Sequence, residues 1–552
     1  MIRPEGNRGR RGAESMTALV ESHGGVLFDL GAAGGPRPAR PGDLAGARVP
    51  VGIRIQSTRV KPGELFAGLR GLRTDGARFL PDAFSRGATS ALVSPERSVG
   101  DAAAALEARG VDLAGRSLWL HPRAAEVLGA VAADIHGRPA DRLLIAAVTG
   151  TNGKTSVCHL VGQLLDRAEL APAVLGTAGH RLRSARGPLR LAASHTTPDV
   201  ASLQTLLAGH VAGGGRTAVM EASSHGLVQG RLAGLAPRVA AFTNLSREHL
   251  DYHGSMERYL DAKARVWDLL TPGEGIAVVF GRSDASLEMR RRAAAAGARV
   301  VTVDVDAEAD LTARKVRRTR EGWSFVLAGL GLPAAPVELP LPGRHNVENA
   351  LVAVAIARSL GASAAAVAAG LGAAVAPPGR LERISAGAGA GAAPFEVMVD
   401  YAHSPEAMER VLADLRRDLD GRGDSGRLIC VFGCGGDRDR GKRVPMGRAA
   451  GRIADVSVVT SDNPRSEDPA AIADAVLQGI DAAGGRRLLE LDRGRAIERA
   501  LGMARRGDVI LIAGKGHENT QTIAGQALPF DDRVVAAEAL ARLASEEGRS
   551  AS

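Results

Sequence analysis

The segment Leu143-Leu-Ile-Ala-Ala-Val-Thr-Gly-Thr-Asn-Gly-Lys-Thr-Ser156 constrains what this chain can fold into more than any other. An apolar run ends in a loop bracketed by Gly150 and Gly153. The loop closes on Lys154-Thr155, and a helix-forming stretch follows from Ser156 to Leu170. A buried strand, a tight loop and a helix in that order form the repeating unit of a parallel α/β sheet. The same unit makes an anion cradle, because backbone N–H groups and the helix N-terminus converge where the loop turns. Gly150, Thr151, Asn152, Gly153, Lys154, Thr155 and Ser156 are therefore candidate phosphate-binding residues for ATP or GTP. Lys154 would reach the outer phosphates and the Thr155 hydroxyl would suit Mg²⁺. The loop is shorter than the usual G-x-x-x-x-G-K-[ST], so a plain Gly-Asn turn is the competing reading. A turn, however, gives Lys-Thr after the glycine no structural purpose.

Size and charge narrow the possibilities. At about 100–200 residues per domain, 552 residues suggest three domains. A net charge of +9 would suit nucleic acid, but the excess is scattered and aromatic residues are only 3%, which leaves little to stack bases on. No nucleic-acid partner is expected. Nor is membrane insertion, since no run of about 18 apolar residues occurs. Residues Met1 to Ala13 are Arg/Gly-rich and read as a disordered tail with no signal peptide after it. Cys158, Cys430 and Cys434 are too few for a disulfide framework, and Cys430-x-x-x-Cys434 lacks a second pair for zinc. A reducing cytoplasm fits. Lysine occurs only at positions 61, 154, 263, 315, 442 and 515, arginine supplying the remaining positive charge. A lysine that persists in such a chain suggests a place where a compact, tunable amine is needed.

The apolar runs recur with a common ending. Ala218-Val-Met-Glu221 delivers a carboxylate, and Val239-Ala-Ala-Phe-Thr-Asn244 an amide. Arg427–Phe432 runs into Gly433-Cys-Gly-Gly-Asp-Arg-Asp-Arg440, Asp455–Thr460 into Ser461-Asp-Asn-Pro-Arg465, and Asp508–Ala513 into Gly514-Lys-Gly-His-Glu518. Helical stretches such as Ala470 to Gly479 and Gly494 to Ala504 lie between. Polar clusters at the carboxyl ends of buried strands mark the ligand edge of an open parallel sheet, with ordinary surface loops as the alternative. The Pro/Gly stretch within 371–380 reads as an interdomain joint, and a Gly/Ala loop follows at 386–393. Glu221 beside a phosphate loop suits a hard cation, or is a solvated strand-end acid. His249 and His253, four apart on a loop, have no H-E-x-x-H context and read as structural.

Taken in order, Thr149-Gly-Thr-Asn-Gly-Lys-Thr155, Glu221-x-Ser-Ser-His225, Asn244 to Gly254, Gly343-Arg-His-Asn-Val-Glu-Asn-Ala350, Pro378-Gly-Arg380, Asp400-Tyr-Ala-His403 and Gly514–Glu518 resemble the Mur ligase family over about 45–540. The resemblance implies an α/β, three-domain architecture. A small α/β domain would take the UDP-sugar (45–137), a P-loop ATPase-like parallel-sheet domain ATP (138–377), and a doubly wound Rossmann-like domain the amino acid (378–545), after an extension at 1–44. It also implies ATP-dependent amide-bond formation through an acyl phosphate, in a cytoplasmic monomer that makes peptidoglycan precursors.

The implied sites fall on named positions. Asn346, Arg380 and Asp400 would join the loop in holding ATP. Two Mg²⁺ ions would sit on Thr155 with Glu221, and on His249 with Lys263, the lysine carbamylated by CO₂. Lys154, Lys263, His249 and Glu221 are thus the catalytic candidates, although Lys263 alone could be an exposed helix lysine. Thr58, His195, Thr196, Thr197, Ser223, Gln229 and Arg231 match contacts to UDP-MurNAc-L-Ala-D-Glu. Asp462, Asn463, Pro464 and Arg465, with Arg438, Gly514 and Glu518, match recognition of meso-2,6-diaminopimelate. An arginine fork there would hold a distal carboxylate that lysine lacks. An L-lysine-adding relative, a folate-polyglutamylating ligase and a D-Ala-D-Ala-adding ligase remain the alternatives. The chain departs from the family pattern at Ser57-Thr58-Arg59, where Asp-Ser-Arg is usual, and at His195, where Asn is frequent.

Overall fold

The computed structural model describes residues 15–32, 34–39, 49–71, 74–95, 98–386, 393–421 and 426–550, with side chains to 545. The Arg/Gly-rich stretch 1–13, the segment start at 45–48 and the core of the Gly/Ala loop at 387–392 lie outside the described residues. The chain divides into two compact units. One runs to Thr312 and adds Gly329–Leu332 and Leu351–Ala369; the other holds Ala313–Ala328, Pro333–Ala350 and everything from Gly370.

The first unit contains two sheets. In the smaller, Ile53–Arg54, Leu65–Gly68, Ser90–Val93 and Ser117–Leu120 run parallel, and Val26–Asp29 adds antiparallel to the last. In the larger, the parallel order is Pro172–Gly176, Thr217–Glu221, Leu144–Thr149, Val239–Phe242, Ile276–Phe280, Arg299–Val305. The glycine-loop strand Leu144–Thr149 is therefore central, between the strands that end in Glu221 and near Asn244. Residues 145–149 are buried throughout, which is why they read as a continuous apolar run rather than an alternating one. The following helix is Lys154–Arg167, not 156–170: Gly153, at φ 85°, serves as its N-cap, and Glu169 at φ 57° lies past its end.

The second unit's main sheet has the order Glu382–Ile384, Glu396–Asp400, Val509–Ala513, Leu428–Phe432, Val456–Val459, Arg487–Leu489, with only the first strand antiparallel. Alternation along each strand builds two cores. Val509, Leu511, Ala513, Leu428, Cys430 and Phe432 enter one; Ile510, Ile512, Ile429 and Val431 enter the other. Helices Pro405–Asp420, Arg443–Ile453 and Pro469–Ala482 cover the first face, and Arg493–Gly502 with the helix from Asp532 covers the second. This is the doubly wound arrangement expected from the three apolar runs. All three cysteines are buried free thiols. Among the described residues, no helix is long and apolar enough to cross a membrane.

Candidate active site

The glycine loop is clamped by the segment that follows the neighbouring strand. Asn152 N donates to Asn244 Oδ1 (3.0 Å), Thr243 Oγ1 donates to Asn152 O (2.6 Å), and Asn152 Nδ2 donates to Ser246 Oγ (3.2 Å). Thr151 Oγ1 accepts from Ser246 N (3.0 Å) and lies 3.3 Å from the Tyr259 hydroxyl. Gly150 has to be glycine: its φ is 144°, and a Cβ would overlap Thr243 Oγ1 and stand 3.1 Å from Asn244 N. Lys154 Nζ donates to the loop carbonyls of Gly150 (2.9 Å) and Thr151 (2.8 Å). Thr155 and Ser156 open the helix behind it.

Lys263 is the least ordinary residue here. It sits in helix Met256–Ala264 and is only 1% exposed, so the exposed-lysine alternative falls. Its Nζ donates to Gly150 O (2.8 Å) and stands 4.2 Å above the Tyr259 ring. Burial, reinforced by the charge of Lys154, pushes its pKa well below the usual lysine range. A neutral, buried amine is the form that can add CO₂, which arginine cannot do.

Glu221 ends its strand with 1% exposure, which excludes the solvated-acid alternative. Thr177 N donates to Oε1 (2.7 Å) and Thr177 Oγ1 to Oε2 (3.1 Å). His249 caps the short helix Leu250–His253 at φ 55°, so the histidine pair lies on a helical turn rather than a loop. The His249 ring packs edge-on against His225, centroids 4.9 Å apart, and His225 lies over Tyr252 at 4.1 Å. Burial, then the charge of neighbouring His249, depresses the His225 pKa to about 4. Among the described residues no group of three His, Cys, Asp or Glu side chains could hold a metal. The donors available here are instead one buried carboxylate (Glu221), one hydroxyl (Thr155), one imidazole (His249) and an amine that carbamylation would turn into an oxygen donor. That set fits a hard divalent cation.

The candidate peptide-binding residues connect to Glu221. Thr196 Oγ1 lies 3.0 Å from Thr177 Oγ1, whose one proton goes to Glu221, and Thr197 Oγ1 donates to Glu221 O (2.8 Å) and accepts from Ser223 N (3.0 Å). Arg231 donates to Thr197 O (2.9 Å) and to Gln229 Oε1 (2.7 Å). His195 is exposed, and partial desolvation of its ring, then the charge of Arg231, lowers its pKa. Thr58 is exposed in the turn Ser57–Arg59, whereas Ser57 is buried and hydrogen-bonds to Asp82. An acid at 57 would face that carboxylate, which gives the Asp-to-Ser departure a physical reason.

In the second unit, the loops after Val456–Val459 and Val509–Ala513 meet. Asn463 Nδ2 donates to Asp462 Oδ1 (3.0 Å) and to Glu518 Oε2 (2.9 Å). Gly514, at φ 113°, leaves room that a Cβ would lose, since that atom would stand 2.6 Å from Asp462 Oδ2. Arg465 holds φ 53°, donates through its backbone to Thr522 O (3.0 Å) and through its guanidinium to Gly436 O (2.6 Å). Pro464 is buried and Arg438 is exposed in the loop after Leu428–Phe432. Beneath, Arg493 and Asp532 form a fully buried ion pair (2.7 Å) whose guanidinium also donates to Ala513 O (2.9 Å) and Ser461 O (3.3 Å). Asn346 is buried, donating to Pro342 O (2.7 Å) and accepting from Asn349 (3.0 Å). Asp400 accepts from Leu381 N and Ala402 N (both 2.8 Å), and Arg380 lies over the Tyr401 ring at 4.4 Å.

Sequence reasoning missed Thr177, Thr243, Ser246, Tyr259, Arg493 and Asp532. None lies in a glycine-rich motif, and only the fold brings each to the loop it supports.

Comparison with known proteins gives three matching family descriptions: "Mur ligase family, catalytic domain" over residues 51–138, "Mur ligase middle domain" over 148–357 and "Mur ligase, glutamate ligase domain" over 379–516. A UDP-N-acetylmuramoyl-L-alanyl-D-glutamate–2,6-diaminopimelate ligase of Gloeobacter violaceus is 41% identical, covering 89% of this chain and 94% of the relative. The ligase of the same name from Synechococcus elongatus is 39% identical with the same coverage. A solved structure of a ligase of that name superposes with TM-score 0.61 at 34% identity, over 90% of this chain and 96% of the other.

Proposed function

This chain belongs to the Mur ligase family, and from that premise we propose that it joins meso-2,6-diaminopimelate to UDP-MurNAc-L-Ala-D-Glu at the expense of ATP, making a peptidoglycan precursor. It is an ATP-dependent ligase. The observation that carries the choice of amino acid is the Asp462–Asn463–Glu518 constellation with Arg465 beside it. Two carboxylates and a guanidinium suit a zwitterionic second amino-acid head, which L-lysine lacks.

The residues divide the work. The glycine loop and Lys154 hold the phosphates, and Asn346, Arg380 and Asp400 hold the nucleoside. The D-Glu carboxylate of the UDP substrate, oriented by Thr196, Thr197, Ser223, Gln229, Arg231 and His195 with Thr58 at the uridine, attacks the γ-phosphorus. ADP leaves and an acyl phosphate remains. The diaminopimelate amine then attacks that carbonyl and phosphate departs. Mg²⁺ held by Thr155 with Glu221, and by His249 with carbamylated Lys263, would neutralise charge between the two anions. The rest of the catalysis is positioning. The chain acts as a cytoplasmic monomer in this reading.

The test is phosphate release with ATP, Mg²⁺ and UDP-MurNAc-L-Ala-D-Glu, comparing meso-diaminopimelate with L-lysine. Release with diaminopimelate alone is expected. Release with lysine alone would overturn the assignment of Asp462 to Arg465, and release with neither would overturn the ligase reading.

A further inference from the structure

We propose that Lys515 is the positioning residue of the amino-acid site, a buried cation that fixes the Asn463 amide and the Glu518 carboxylate so that one substrate ammonium completes their charge. This rests on the diaminopimelate reading above. Lys515 is 0% exposed, and burying an ammonium is unfavourable unless all its donors are used. They are: Nζ donates to Thr520 O (2.6 Å), Glu518 Oε2 (3.1 Å) and Asn463 Oδ1 (3.3 Å). With three donors spent, Lys515 has none to offer a substrate.

What it does offer is the direction of an amide. Asn463 Oδ1 accepts from Lys515 Nζ and from Thr522 N (2.9 Å), so Nδ2 must face the opposite way, toward Asp462 and Glu518. A flipped amide would set its NH₂ against an ammonium and an N–H at once. Both protein donors to Glu518 reach the same oxygen, Oε2, and among the described residues Oε1 receives none. Two carboxylates, Asp462 and Glu518, flank the Asn463 amide with one buried ammonium among them, while Arg465 turns its guanidinium to Gly436 O (2.6 Å) and the Arg493–Asp532 pair below is neutral as a unit. That leaves carboxylate oxygen free to receive one substrate ammonium. Lys515 also joins loops from two strands that are not neighbours, since Leu428–Phe432 lies between them.

Lys515→Met keeps the unbranched apolar stem and removes the ammonium. Losing hydrogen bonds to charged groups should raise the KM for meso-diaminopimelate at least about tenfold, with the KM for ATP within about twofold. In a Glu518→Gln background the same change should add less than about threefold, because the partner is already gone. If thermal unfolding shows that Lys515→Met does not fold, Lys515→Gln, which retains a donor, carries the same expectation. An unchanged KM for diaminopimelate, equal rises in both KM values, or fully multiplicative effects in the double variant would each refute the proposal. Wild-type turnover with diaminopimelate is the control: its absence refutes the proposed function, whereas its presence with an unaffected Lys515 variant refutes only this role.

Discussion

Gly176→Ala tests how tightly the Glu221 carboxylate, proposed above as a metal ligand, is held. Gly176 ends the strand beside that of Glu221, and a Cβ there would stand 2.8 Å from Glu221 Cδ and 2.9 Å from Cγ, with Oε1 nearer still. Ordinary van der Waals contact begins at 3.4 Å, so Cδ must retreat by about 0.6 Å and Oε1, which is nearer, by about 1 Å or more. The side chain cannot swing into solvent, being 1% exposed, and Thr177 binds both its oxygens. A misplacement near 1 Å at a reacting centre costs about 100-fold in rate, so this shift should lower kcat by about 100-fold. Overpacking should cost about 1–3 kcal/mol of stability, leaving the protein folded. The assay is phosphate release at saturating substrates, with the urea midpoint measured alongside. Gly209→Ala is the control, since a Cβ there meets nothing within 4 Å and lies in the helix Val200–Ala212. It should be neutral or stabilising by up to about 1 kcal/mol. A folded Gly176→Ala protein with kcat within threefold of wild type would refute the reasoning.

Three further outcomes are expected. Lys263→Arg should lower turnover at least about 100-fold while the fold survives, because Gly150 O keeps its bond from Lys154; near-normal turnover would remove the carbamate. Asp532→Asn strands Arg493 without its counter-charge in a fully buried site and should cost about 3–5 kcal/mol in urea unfolding, a loss below about 1 kcal/mol being incompatible with the pair as described. Burial, then Arg181 and Arg190, holds the His159 imidazole at about 4 instead of 6.5. The unfolded chain therefore takes up the proton first, so this contribution to stability is full above pH 6.5 and is lost as pH falls toward 4. His159→Gln should shrink the stability lost between pH 7 and pH 5 by up to about 2 kcal/mol, and identical losses in the two proteins would contradict the shift.

Local pattern made much of the fold legible. Leu144–Thr149, Leu428–Phe432 and Val509–Ala513 stand within a residue or two of where their apolar runs place them. Runs buried on both faces carry their own signature and need no partner to be recognised. Helix ends were less legible: Lys154 begins its helix because Gly153 takes a positive φ, which depends on the clamp from Thr243 to Ser246.

By itself, the sequence determined the family and supplied candidates for the chemistry, because phosphate cradling, carbamylation and carboxylate recognition each demand particular side chains at short spacings. Lys154, Glu221, Lys263 and Asp462 to Arg465 could be named in this way. Only the tertiary structure decided their environments. That Lys263 is buried against Gly150, that Thr177 fastens Glu221, and that Lys515 reaches Asn463 are all contacts between segments far apart in the chain. Burial and pairing shift an amine or fix an amide, and both depend on which elements pack together, information that no local spacing contains.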